Sequence, residues 1–116
     1  MPSGRQALGS HGESLAARWY VDRGYEILHR NWRSAGGEID LVLQRGSVLV
    51  FCEVKTRASN RYGSPAEAVT PTKQRRIRRV ASAYLRQRQA VGQPGVVRFD
   101  VACVMGRDVS VIERAF

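Results

Sequence analysis

Asp40, Glu53 and Lys55 bring two carboxylates and an ammonium into one short stretch, Gly37–Arg57, which reads GEIDLVLQRGSVLVFCEVKTR. Its two arms are rich in Val, Leu, Ile and Phe and flank Gln44-Arg45-Gly46-Ser47, a pattern that predicts a β-hairpin with Gly46 supplying the positive φ of a tight turn. With Arg45 and Gly46 as the loop residues, alternation puts Ile39, Leu41, Leu43, Val48, Val50, Cys52 and Val54 on one wholly apolar face. The other face carries Glu38, Asp40, Val42, Gln44, Leu49, Phe51, Glu53 and Lys55. Its charges gather away from the turn, with Glu38 opposite Glu53 and Asp40 opposite Phe51. A slip of one residue would place charges among the apolar set.

Like charges about 4 Å apart repel by roughly 4 kcal/mol at an effective dielectric near 20, so this grouping needs a physical reason. One reading is a solvated sheet edge, neutralised by Lys55 and nearby arginines. The other is a divalent-cation site, because a hard cation such as Mg²⁺ takes one or two carboxylates plus water and phosphate oxygens.

The elements that must position these residues follow from pattern. A helix is expected from Ser10 to Arg23, with Ser10 and Glu13 as a capping box and Gly24 as its stop. Ala16, Ala17 and Tyr20 follow Glu13 at helical spacing, so Glu13 shares their inward face. Tyr25–Trp32 reads as a strand, with Tyr25, Ile27 and His29 on one side and Glu26, Leu28 and Arg30 on the other. Residues 33–37 read as a loop. His11 and His29 have no partner pattern that would make either a ligand.

After Lys55 a long irregular stretch, Ala58–Thr70, leaves the acidic end of the hairpin. With Arg57, Arg61 and Tyr62 it is expected to lie over a nucleic-acid strand or to serve as a plain connector. Thr70 and Pro71 start the longest helix, which is expected to run to about Ala90. Ile77, Val80, Ala81, Tyr84 and Leu85 form its apolar stripe. Lys73, Arg75, Arg76, Arg78, Arg79, Arg86 and Arg88 line much of the rest, and no Asp or Glu occurs between Ala68 and Phe99. Without acids to pair with, these cations forgo every i,i+4 ion pair, and phosphates are the outside partner they suit. Lys73, Arg75, Arg76 and Arg79, with the loop's Arg57, Arg61 and Tyr62, are the expected nucleic-acid contacts. Val96–Met105 and Val109–Arg114 read as final strands, with Asp100 in a structural role.

The 116 residues predict one domain, 10–116, behind a flexible segment, 1–9. A net charge of +9 and an isoelectric point of about 10.8 point to a polyanionic partner, nucleic acid or an anionic membrane surface. Cys52 and Cys103 sit inside apolar strand patterns and suit a buried place in a reducing cytoplasm. They lack the neighbours a zinc site needs. No signal peptide or transmembrane run is expected.

Asp40, twelve intervening residues and then Glu53-Val54-Lys55 resemble the D…(D/E)-x-K signature of the restriction-endonuclease-like superfamily. Gly12-Glu13, Arg30-Asn31-Trp32-Arg33, Gly37–Val42, Glu53–Arg57 and Arg98–Val101, in that order, resemble the YraN-type bacterial proteins, from about Gly9 to the C-terminus. The resemblance implies an α/β (mixed α+β) fold similar to archaeal Holliday-junction resolvases: about five strands flanked by two main helices. It implies Mg²⁺ or Mn²⁺ held by Asp40, Glu53, the Val54 carbonyl and Glu13, with Glu38 acting through water and Lys55 as a catalytic group. A branched or structured DNA substrate and a homodimer are implied as well. A non-catalytic nucleic-acid-binding protein and an accessory protein-interaction or membrane-surface factor are the alternatives.

Overall fold

The computed structural model describes residues 4–57, 69–88 and 91–116. Two helices and five strands follow one another as α1 (Gly4–Val21), β1 (Glu26–Ser34), β2 (Gly37–Arg45), β3 (Val48–Thr56), α2 (Pro71–Gln87), β4 (Val96–Met105) and β5 (Asp108–Ile112). The strands form one sheet in the order β1-β2-β3-β4-β5. β3 and β4 run parallel because α2 carries the chain across between them, and every other pair is antiparallel. The expected mixed sheet with two main helices is therefore the observed α+β architecture.

Each helix covers one face of the sheet. α1 packs Ala16, Ala17 and Tyr20 on Leu41, Leu43, Val50, Cys52, Ala102 and Val104. α2 packs Ile77, Val80, Ala81 and Tyr84 on Ile39, Val42, Leu49, Phe51, Phe99 and Val101. The central strands are thus apolar on both sides, as a two-side-covered sheet requires. Thr70 caps α2 by accepting the Lys73 N–H at 3.3 Å, with Pro71 in the first turn. Cys52 and Cys103 are buried free thiols.

Four expectations are corrected. α1 starts at Gly4, not Ser10, because nothing in Gly4–Gly9 forbids a helix; Ser10 lies inside it, and its carbonyl accepts the Ser14 hydroxyl at 3.0 Å. There is no capping box at Ser10, and residues 4–9 belong to the helix. β1 extends to Ser34 and turns directly into β2, so residues 33–37 are mostly strand. A register shift between Ile27 and His29 sends the His29 ring to Tyr84 of α2, away from the face of Ile27. The hairpin loop is Gly46-Ser47, closed by Arg45↔Val48. Gly46, at φ 60°, occupies the first loop position, where a type II′ turn places its glycine.

Candidate functional site

That one-residue shift of the loop decides the geometry of the acids. The β2–β3 ladder runs from Arg45↔Val48 to Leu41↔Cys52, and the next residues along it are Asp40 and Glu53. Asp40, not Glu38, is therefore the partner of Glu53. Past Leu41 the two strands fork. The Asp40 carboxylate accepts the Val54 N–H at 2.8 Å, so a side chain supplies the hydrogen bond that the ladder no longer makes.

The fork holds its acids at a cost. Burial raises the Asp40 pKa to about 6; the Val54 N–H and Lys55 pull it down, and Glu13 and Glu38 push it up. Burial, then the Asp40 charge, raises Glu53 to about 8 against the pull of Lys55 and Lys73. Lys73 in turn is lowered chiefly by the neighbouring Lys55. Two acids with raised pKa values beside two lysines mark a site of unbalanced charge.

α2 closes this site on one side. A cavity of about 230 Å³ is lined by Gly37, Glu38, Asp40, Glu53, Lys73, Arg76 and Ile77. Gly37 lies under α2, where a Cβ would stand 3.2 Å from the Arg76 side chain. α1 approaches from the other side through Gly12, which packs so tightly on Thr56 that any Cβ would collide with its hydroxyl. This close approach accounts for a glycine in a helix interior, where it costs about 1 kcal/mol relative to alanine.

The predicted residues divide accordingly. Asp40, Glu53, Val54 and Lys55 converge at the fork, and Lys73 and Arg76 face the acids across the cavity. Glu13 stands near enough to raise Asp40, but its carboxylate is held by Asn31 Nδ2 at 3.0 Å, with Arg30 at 3.6 Å. Glu38 is held by Arg33 at 2.7 Å. Among the described residues no three His, Cys, Asp or Glu side chains are grouped as a metal cluster.

Arg75 is exposed and donates to the Thr72 hydroxyl at 3.4 Å; Arg79 lies over Gly36. The Arg57 amide bonds the Val104 carbonyl at 2.8 Å, at the end of β3. Arg61 and Tyr62 lie outside the described residues. Arg78 stacks its guanidinium over Phe99, so part of the basic set serves packing. Sequence reasoning assigned no role at the site to Asn31 or Arg30, although asparagine's tolerance of left-handed backbone was a usable signal.

The two-carboxylate core fits a hard divalent cation. Both donors are oxygens, two carboxylates are what Mg²⁺ takes from a protein, and the protons held on Asp40 and Glu53 are ones that a cation would displace.

Fold and site together define an α+β protein with an acid–lysine cluster at the fork of its central hairpin. The profile of the family described as "Uncharacterised protein family UPF0102" matches residues 12–104. A UPF0102 protein of Rhodococcus opacus (strain B4) is 54% identical over 99 residues, covering 85% of this chain and 82% of the relative. One of Nocardioides sp. (strain ATCC BAA-499 / JS614) is 60% identical over 84 residues, covering 72% and 68%. The chain belongs to the UPF0102, or YraN-type, family. Among the described residues no helix is long and apolar enough to cross a membrane.

Proposed function

We propose that this protein is a divalent-cation-dependent endonuclease that hydrolyses phosphodiester bonds in structured or branched DNA in the cytoplasm. The observation that carries the reading is the half-buried pair Asp40 and Glu53, beside Lys55 and across a cavity from Lys73 and Arg76.

Asp40 and Glu53, with the Val54 carbonyl, would hold Mg²⁺ or Mn²⁺. When bound, such a cation neutralises phosphate charge and lowers the pKa of coordinated water. Lys55, next to both acids, orients the attacking water and offsets charge developing on the phosphate. Lys73 and Arg76 hold the non-bridging oxygens from the α2 side, and Arg75 and Arg79 extend the cationic track along the strand. Glu13 and Glu38 act around the pair, through water. The family resemblance adds a homodimer, which sedimentation would read.

The test is cleavage of labelled single-stranded, duplex and four-way-junction DNA with Mg²⁺ or Mn²⁺, comparing wild type with Glu53→Ala. Metal-dependent cutting by wild type alone is expected. Salt-sensitive DNA binding by both proteins with cutting by neither would replace this reading with a non-catalytic binding module. Binding to anionic vesicles in preference to DNA would replace it with a membrane-surface role.

A further inference from the structure

Asn31 and Arg114 are the two described non-glycine residues with positive φ, both at 53°, and Asn31 stands in the middle of a strand. A left-handed residue within β1 breaks the alternation of side chains, and the contacts on either side of it record the break. Arg30 reaches toward α1, donating to the Ser14 hydroxyl at 3.2 Å and lying 3.6 Å from Glu13. Trp32, two residues on, packs edge-on against Tyr84 of α2 at 5.1 Å between ring centroids. Ordinary strand geometry would put Arg30 and Trp32 on one face.

The partner strand changes faces at the same place. Arg30 pairs with Leu41, which belongs to the core under α1; Trp32 pairs with Ile39, which belongs to the core under α2. β1 and β2 therefore switch together, at Asn31 and at Asp40. The Asn31 side chain meanwhile donates from Nδ2 to the Glu13 carboxylate at 3.0 Å.

We propose that Asn31 is the positioning residue of the fork. Its left-handed backbone turns Asp40 to the end of the sheet. Its carboxamide keeps Glu13 beside Asp40 without letting it join the pair, as an acceptor for water in the shell of a divalent cation. A strained conformation retained at a site, with a side chain aimed at a neighbouring acid, is how positioning groups are built. This proposal rests on the cation reading of the Asp40–Glu53 pair.

The test is Mn²⁺ binding to the purified protein at pH 8, read by electron paramagnetic resonance, with thermal denaturation of each variant. Asn31→Gly keeps the left-handed backbone and deletes the carboxamide. It is expected to melt within a degree or two of wild type and to bind Mn²⁺ at least about tenfold more weakly, the cost usual for losing an orienting partner. Glu13→Gln is expected to weaken binding similarly, and the double variant to be no weaker than either single one, because both break one interaction. Asn31→Asp, which tolerates the same backbone but repels Glu13, carries the test if glycine loosens the strand, and should weaken binding as much. Equal Mn²⁺ affinity in wild type and these variants would overturn the role of Asn31 while leaving the acid pair as a cation site. Absence of Mn²⁺ binding by wild type would overturn the acid-pair reading, and this proposal with it.

Discussion

One group of charge is buried around Asp100 and a second stands half-buried at the fork, and the protein treats them in opposite ways. Asp100, fully buried in β4, accepts hydrogen bonds from Tyr20 at 2.7 Å, from Arg98 at 2.9 Å on each carboxylate oxygen, and from the Arg114 amide at 3.2 Å. Arg98 also donates to the Tyr25 hydroxyl at 2.9 Å, and among the described residues no buried side-chain polar atom lacks a partner. Burial pulls the Arg98 pKa down, but its bonds to Asp100 and Tyr25 more than offset this and leave it raised. At the fork, by contrast, Asp40 and Glu53 repel each other and hold protons to about pH 6 and pH 8. Where a buried acid serves the architecture, the fold surrounds it with donors. Where the fold leaves two acids only partly compensated, something from outside is expected to complete them.

The largest effect should come from breaking the satisfied group. Arg98→Met strips Asp100 of two charge-assisted hydrogen bonds and leaves its carboxylate buried. A loss of roughly 3–5 kcal/mol in chemical denaturation is expected, as for removal of one partner of a buried ion pair. A loss below about 1 kcal/mol would mean that the donors around Asp100 contribute little, and the contrast between the two groups would collapse.

Gly12→Ala tests the fork from the α1 side. The added methyl meets the Thr56 side chain, so α1 must shift next to Glu13 and Lys55. Overpacking of this kind costs about 1–3 kcal/mol. Paired with Thr56→Ala, which removes the obstructing hydroxyl, most of that stability should return in the same denaturation assay. The Tyr20–Asp100 contact lies about two helical turns further along α1 and should survive, which the near-ultraviolet tyrosine signal would report.

Much of the fold was legible in the sequence. The start of α2, its Thr70 cap and its stripe of Ile77, Val80, Ala81 and Tyr84 follow from local rules and appear as read, although the helix ends at Gln87 and not near Ala90. The structural role of Asp100 was legible too, but Tyr20, which bonds it, comes from α1 and Tyr25, which bonds Arg98, from the turn after α1, and no local pattern connects them. Three features escaped. Sliding the hairpin loop from Arg45-Gly46 to Gly46-Ser47 changes which residues are opposite but preserves every side chain's face, so hydrophobic alternation cannot choose between the two; turn chemistry does. The break in alternation at Asn31 and Asp40 sends Ile39 to the α2 side, although its spacing from Leu41 put it with α1. Lys73 read as one of a row of phosphate contacts, and only the β3–α2–β4 crossover puts it beside Glu53 and Lys55.

The smallest expected effect bears most directly on the contrast. In the folded chain Asp40 and Glu53 keep their protons to about pH 6 and pH 8, whereas their ordinary values are 3.8 and 4.5. Between these limits the folded state binds more protons than the unfolded state, so their contribution is fully present below about pH 4 and is lost as pH rises through 8. Glu53→Gln removes one ionisation and the repulsion that Asp40 feels from it. At pH 8 without divalent cations the variant should be the more stable protein by about 1 kcal/mol after solvent screening, or roughly 4 °C in melting temperature. At pH 4.5 the two proteins should melt together, because wild type is then protonated at the same position. Adding Mn²⁺ at pH 8 should reverse the order, since only wild type keeps both carboxylates for a cation to neutralise. A Glu53→Gln protein less stable than wild type at pH 8 without cations would mean that the fork acids are compensated by their lysines, as Asp100 is by Arg98, and that the fork needs nothing from outside.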